Sequence, residues 1–259
     1  MLPREDLLKG IEHRDSVVRV LDRAEQAIRT WDVVLTDFLA PPELAEIYPL
    51  FDRLTEVCVL GWGGYPQAER QRLAIAREEI PFDIDRIAIA ALDIAGNFLF
   101  DTASHRDFLG ALLGTGIVRG KLGDIIVLGE RGAQAIIAPE MLDFLQQNLT
   151  QVRSVAVKVQ PIELSELKVP TPRTKLLTTV EASMRLDAVA SAGFGMSRSK
   201  MANLIQSGAV RVNWKEVNQA SHLAKSGDLI SIRGKGRLEV GEVSLTKKGR
   251  HRVQLKRFI

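Results

Sequence analysis

The spacing of apolar residues along this 259-residue chain changes several times, and each change predicts a different element. Val17, Val18, Leu21, Ala24, Ala27 and Ile28 recur every three or four residues, which predicts an amphipathic helix from about Ser16 to Trp31. Pro41-Pro42 opens a second helix holding Leu44, Ile47 and Leu50, because proline fits a first helical turn. Glu56 to Leu60 reads as a strand, and Gly61-Trp62-Gly63-Gly64-Tyr65-Pro66 as the loop that turns it back. No strand–GxGxxG–helix unit surrounds those glycines, so they do not read as a phosphate cradle.

Ile80-Pro81 marks the next boundary. Residues 81–160 show a β-α-β-β-α-β order, the ferredoxin-like arrangement that RRM modules also use. The expected first strand is Ile84–Ile94, continuing through Asn97 to Phe100. Ser104 starts a helix with Phe108, Leu109 and Leu112. Ile125–Leu128 and Ala133–Ala138 form a hairpin around Glu130-Arg131-Gly132, Glu140–Leu149 a second helix, and Val155–Val159 the last strand. RRM-style stacking needs exposed aromatics on the central strands, and neither Arg86–Ile89 nor Ala133–Ile137 offers one.

Pro161, Pro170 and Pro172, with Thr171, Arg173 and Thr174, cannot sustain a helix and read as a linker. Beyond a strand around Lys175–Val180, Leu186, Val189 and Ala190 return to helical spacing, as do Met201, Leu204 and Ile205. Gly193-Phe194-Gly195 suits the turn between two short helices; Ser197 is placed to cap the second and Gly208 to end it. Ala209–Asn213 and Leu229–Arg233 alternate as strands, and Val253, Leu255 and Phe258 suit a final one.

Charge divides the chain in the same place. Residues 1–172 hold 18 Lys+Arg against 26 Asp+Glu, a net of −8; residues 173–259 hold 17 against 6, a net of +11. A basic module joined to an acidic body points to a polyanionic partner, with phosphate the obvious group. The second C-terminal helix opens on Arg198 and Lys200, where the helix dipole disfavours cations. Ser199, Lys200, Asn203, Gln206 and Ser207 share its polar face. The run Lys247-Lys248-Gly249-Arg250-His251-Arg252 adds further cations.

Other chemistry is sparse. Cys58, the one cysteine, excludes an intrachain disulfide and reads as a strand residue of a protein kept in a reducing compartment. The four histidines have no metal-ligand spacing. No apolar run reaches membrane-spanning length, and the N-terminus lacks a signal-peptide core. Gly120-Lys121 is followed by Leu122, which rules out a P-loop. His105 and Asp107 have no accompanying nucleophile, so a capped helix followed by a tight glycine loop is the plainer reading.

Two stretches carry a family resemblance. Arg185-Leu186-Asp187, Ser197–Lys200, Leu204-Ile205 with Gly208, Val210–Asn213 and Gly227-Asp228 together resemble the S4 RNA-binding domain; Trp214 stands where many S4 domains have a small turn residue. His105–Gly114 with Gly116–Ile125 resembles the HRD-x-LG-ALL-G-x-G-I-x-R-x-K-x-GDI signature of the YlmH-like S4 proteins, whose cyanobacterial and plastid members are called photosystem II S4 domain proteins. The resemblance spans nearly the whole chain. It implies a three-part protein associated with the large ribosomal subunit, including rescue of stalled subunits that carry peptidyl-tRNA.

The expectation is an α+β chain with a mainly helical N-terminal domain (1–79), a ferredoxin-like, RRM-like middle domain (80–162), a linker (163–178) and an S4 domain of αL type with a basic extension (179–259). Its expected function is cytoplasmic and non-catalytic: binding of structured RNA, either rRNA or tRNA, by a monomer, with a protein partner for the acidic body also open. Arg185, Arg198, Lys200, Arg211 and Lys215 are expected to engage phosphates, joined by Lys247, Lys248 and Arg250. Ser199, Asn203, Gln206 and Asn213 are expected to hydrogen-bond sugar and backbone. No cofactor, metal or catalytic residue is expected. The alternatives are an RNA-modifying enzyme of the pseudouridine synthase type and a photosystem assembly factor acting through protein contacts; Arg185-Leu186-Asp187 lacks the catalytic-domain context of the first.

Overall fold

The computed structural model describes residues 2–171 and 173–258, so Pro172 of the expected linker lies outside the described residues. Two units divide at Pro170/Thr171.

In the first unit, α1 (Arg4–Leu7) precedes α2 (Arg14–Thr30), which buries Val17, Leu21, Ala24 and Ala27 of the face that the sequence spacing marks, together with Val20, while Val18 and Ile28 are only partly buried. After β1 (Val34–Leu35) comes α3 (Pro41–Phe51), with proline in its first turn as expected. β2 (Val57–Trp62) and β3 (Arg72–Arg77) pair antiparallel, and the sheet runs β1-β3-β2. The helices therefore cover a three-stranded sheet of which only β2 was expected, at Glu56–Leu60. β1 is two residues long, and β3 buries Arg72–Ala76 on both faces, which removes the alternation that marks a strand.

The rest of this unit comprises β4 (Ala90–Ala95), α4 (His105–Gly114), β5 (Leu122–Val127), β6 (Gly132–Ile137), α5 (Leu142–Asn148), a small hairpin of β7 (Gln151–Val152) and β8 (Val155–Ala156), and β9 (Lys158–Ile162). The order β5-β6-β4-β9 with every pair antiparallel is ferredoxin-like connectivity. The first strand is shorter than expected. Ile84–Arg86 forms a 3₁₀ turn because the Asp83 carboxylate accepts the Asp85 N–H at 3.1 Å, and a local side-chain bond of this kind competes with a ladder. Residues 97–100 are not strand either: Phe98 is buried edge-on against Phe108, with ring centroids 5.2 Å apart.

Asp124, near the end of the glycine-rich signature, joins the halves of this unit. Its carboxylate accepts from the Tyr65 hydroxyl (2.8 Å) and from the backbone N–H groups of Glu69 (2.7 Å) and Arg70 (3.0 Å). Arg70 in turn donates to the carbonyls of Leu122 (2.9 Å) and Phe38 (2.8 Å). Burial, aided by the charge of Arg119, pushes Arg70 down to about 10. Lys121 bridges Asp37 (2.6 Å) and Glu140 (2.9 Å).

The second unit contains β10 (Thr174–Glu181), α6 (Leu186–Phe194), α7 (Arg198–Gln206), β11 (Val210–Val212), β12 (Lys215–Glu216), β13 (Leu229–Ile232), β14 (Gly236–Leu245) and β15 (His251–Phe258). Its six-stranded sheet runs β10-β15-β14-β13-β11-β12. Leu186, Val189, Phe194, Met201 and Ile205 of the helices share a core with Val210, Val212, Ile230, Leu238, Val240 and Val253. One sheet face is thus covered by the helix pair. The expected linker, 163–178, is corrected at both ends: Leu164–Glu166 is a 3₁₀ turn of the first unit, and β10 starts at Thr174 because its eight residues all find partners on β15.

Candidate nucleic-acid interface

The two short helices of the second unit hold their shape through local chemistry that the sequence displays. Gly195, at φ 66°, ends α6 in the left-handed region, which glycine enters without strain. The Ser197 hydroxyl accepts the Lys200 N–H at 3.3 Å, and Gly208 (φ 72°) closes the far end of α7 with its N–H on the Ile205 carbonyl at 3.0 Å. Met201 and Ile205 are buried, while Ser199, Lys200, Asn203 and Gln206 are exposed together on the opposite face, as expected.

Arg185 and Arg198 converge on one carboxylate. Asp187, 5 % exposed, receives Arg185 at 3.1 and 3.2 Å and Arg198 at 3.0 and 3.3 Å. Burial pushes the Asp187 carboxyl up, but the two guanidiniums outweigh burial and hold it below the usual carboxylate range. The same bond, with the carboxylate charge, raises Arg198. The cation at the positive end of α7 is therefore answered within the fold, and the three groups together retain one positive charge. Asp187 was not among the expected site residues. Its place between Arg185 and the S4-like helix turn was the available signal.

Asn213 has an internal role that the sequence did not display. It sits at φ 49° and Trp214 at φ 70°, the two-residue turn that joins β11 to β12. The Asn213 amide donates to Asp228 at 2.8 Å, and its oxygen accepts the Leu229 N–H at 2.9 Å. This exposed side chain also fastens the turn to β13, because left-handed backbone at an asparagine is secured by such bonds.

The remaining cations fall into two groups. Lys247, Lys248 and Arg250 lie on the exposed turn between β14 and β15, closed by the Thr246 N–H on the Arg250 carbonyl (2.8 Å). They line a hollow of about 740 Å³ with Arg252, Val180 and Leu245. The charge of Glu181 acts on Arg198, and Glu181 pairs with His251 in the ladder, so the start of α7 lies at this end of the sheet. Arg211 and Lys215 lie elsewhere: Arg211 is opposite Ser231, which is opposite Arg237. From Arg237 to Leu245 the strand runs roughly 25 Å.

The middle domain offers no RRM-like platform. All six residues of β6 are buried; Ile136 and Ala138 pack with Phe38, and Gln134 is bonded to the Lys168 N–H (2.7 Å) and the Glu166 carbonyl (3.2 Å). The central strand is covered on both faces by the chain itself, so no base could lie on it. Asp107 caps α4, its carboxylate accepting the Ser104 N–H (2.8 Å) and hydroxyl (2.6 Å), which is the capped helix expected there. Among the described residues, Glu12, His13 and Glu46 bring potential metal ligands within 4.8 Å of one another. The buried Glu46 carboxylate, however, already accepts the Glu12 and His13 N–H groups at 2.9 Å each and meets His13 Nδ1 at 3.0 Å. These contacts fasten the start of α2. Among the described residues, no helix is long and apolar enough to cross a membrane.

Comparison with known proteins matches residues 12–80 to the family described as "YlmH, N-terminal", residues 84–166 to "Putative RNA-binding domain in YlmH" and residues 184–230 to "S4 domain". The chain is 36% identical over 224 residues to "Ribosome-associated protein quality control protein P2" of Bacillus subtilis (strain 168), covering 86% of each. It resembles in fold the solved "Cell division protein ylmH from Streptococcus pneumoniae", with a TM-score of 0.54 over 62% of this chain and 96% of that one, at 21% identity.

Proposed function

The chain belongs to the YlmH family of S4-domain proteins, and on that premise we propose that it is a ribosome-associated factor that binds structured RNA without catalysing a reaction. The observation that supports this most is the face of α7, where Ser199, Lys200, Asn203 and Gln206 stand exposed beside the Arg185–Asp187–Arg198 cluster on a module of net charge +11. Double-helical RNA hides its base edges in a deep groove, so cations spaced along a rigid surface recognise its outline through phosphate and sugar.

The division of labour follows the chain. Residues 1–79 and 80–162 form an acidic body, and the segment from Thr174 onward carries the RNA surface. Arg185, Arg198, Lys200, Lys247, Lys248 and Arg250 make one phosphate-binding group, and Arg211 and Lys215 a second. The relative's name, a ribosome-associated quality control protein, favours a ribosomal setting; within it we read rRNA or tRNA on the large subunit as the target and the cytoplasm as the location. A non-catalytic role is favoured by the use of Asp107 as a helix cap. Gradient sedimentation with ribosomal subunits tests the reading. The protein should follow the large subunit in low salt and leave it in high salt; a protein that stays at the top of the gradient in low salt contradicts it.

A further inference from the structure

The sheet of the second unit has one face packed on α6 and α7, and side chains alternate across it. Val212, Ile230, Ile232 and Leu238 point into the core. Their neighbours Arg211, Ser231, Arg237 and Phe258 stand directly opposite one another on four successive strands and so share the face away from the helices. There the Arg237 guanidinium lies 6.0 Å from the ring centre of Trp214 and 5.8 Å from that of Phe258, and the Lys256 ammonium 5.3 Å from Phe258. Two aromatic rings are thus interleaved with two cations on an open sheet.

Trp214 is held there against its own backbone preference. It occupies the second position of the β11–β12 turn at φ 70°, where glycine is strainless and a bulky residue is not. Its ring is only partly buried and does not belong to the core cluster. Strain at a position where core packing gives no return is the pattern of a side chain kept for contact with a ligand.

We propose that Trp214, with Arg237 and Phe258, forms a stacking subsite for an unpaired RNA base, flanked by Arg211 for the adjoining phosphate. The inference rests on the RNA-binding reading above and adds a second mode to it: outline recognition by the helix side and base stacking by the open sheet face. An aromatic face beside a guanidinium suits any base, since every base has a π-face, and the surrounding cations suit the backbone that carries it. A methylated lysine or other cationic ligand is disfavoured, because the array already carries positive charge on its rings.

The test uses the full chain and three RNA probes: a stem with one bulged nucleotide, the same stem with an abasic residue at the bulge, and the fully paired stem. Trp214→Gly suits the turn and leaves the core intact, and Trp214→Phe keeps a ring. The parent should bind the bulged stem about tenfold more tightly than the abasic and paired stems, Trp214→Gly should bind all three alike, and Trp214→Phe should recover most of the preference. Binding without any preference for the bulged stem, or a preference that survives in Trp214→Gly, overturns the stacking site and leaves RNA binding in place. A parent that binds none of the three overturns the RNA reading itself, and this subsite with it.

Discussion

Asp187 on α6 holds Arg198, the first residue of α7, through contacts of 3.0 and 3.3 Å. The bond ties the two helices at the point where the surface meets solvent, and it fixes the direction of a guanidinium that would otherwise range freely.

Replacement of Asp187 by Asn should therefore affect both stability and binding. Arg185 and Arg198 would lose their charged acceptor. Because both guanidiniums remain in water, the loss should be modest, about 1–2 kcal/mol by chemical denaturation. RNA affinity should fall although the variant gains net positive charge. A rise in affinity would show that Asp187 merely offsets charge and positions nothing.

The same carboxylate gives a pH dependence. Its folded value is depressed, so its contribution is fully present above the unfolded carboxylate range, about pH 4, and is lost as pH falls through the lower folded value. Acid unfolding of the parent should include a step that is smaller in Asp187→Asn. Identical acid profiles for the two proteins would contradict the depressed value.

Asp124→Ala should loosen the first unit. Three donors, the Tyr65 hydroxyl and the Glu69 and Arg70 N–H groups, would lose their acceptor, for a loss of about 2–4 kcal/mol. Limited proteolysis should then cut between residues 63 and 70. Since this hub lies in the acidic body, affinity for short RNA stems should be unchanged in the fraction that stays folded.

Gly132→Ala should be more severe. Gly132 has φ 119°, and a Cβ there would stand 2.0 Å from the Ile94 carbonyl oxygen, on the partner strand. Backbone cannot swing aside as a side chain does, so a loss above about 3 kcal/mol is expected and should show as poor soluble yield and a lowered Tm.

Much of this architecture is legible in the chain because its signals are local. Ser197 and Gly208 bound α7 as the capping rules require, and the alternation of Val210 and Val212 marks β11. What stays hidden depends on contacts far apart in sequence. β3 reads as a featureless apolar run because both its faces are buried. The hold of Asn213 on Asp228, fifteen residues on, is likewise invisible in the local pattern. Arg237 and Phe258 become part of a surface only when β14 and β15 bring them together with Trp214. Likewise, Arg198 looked like a cation lacking an answer at a helix start, and its answer lies one helix earlier.

The central claim, that the cations of the second unit grip folded RNA by its phosphates, is tested most directly by a salt titration of affinity for a structured RNA, run on the parent and on a variant with Arg198 and Lys200 both changed to Glu. The account predicts that log affinity falls steeply and linearly with log salt, that the variant binds at least about tenfold more weakly at moderate salt, and that its slope is shallower by roughly two units. Equal affinities and equal slopes for the two proteins would contradict it.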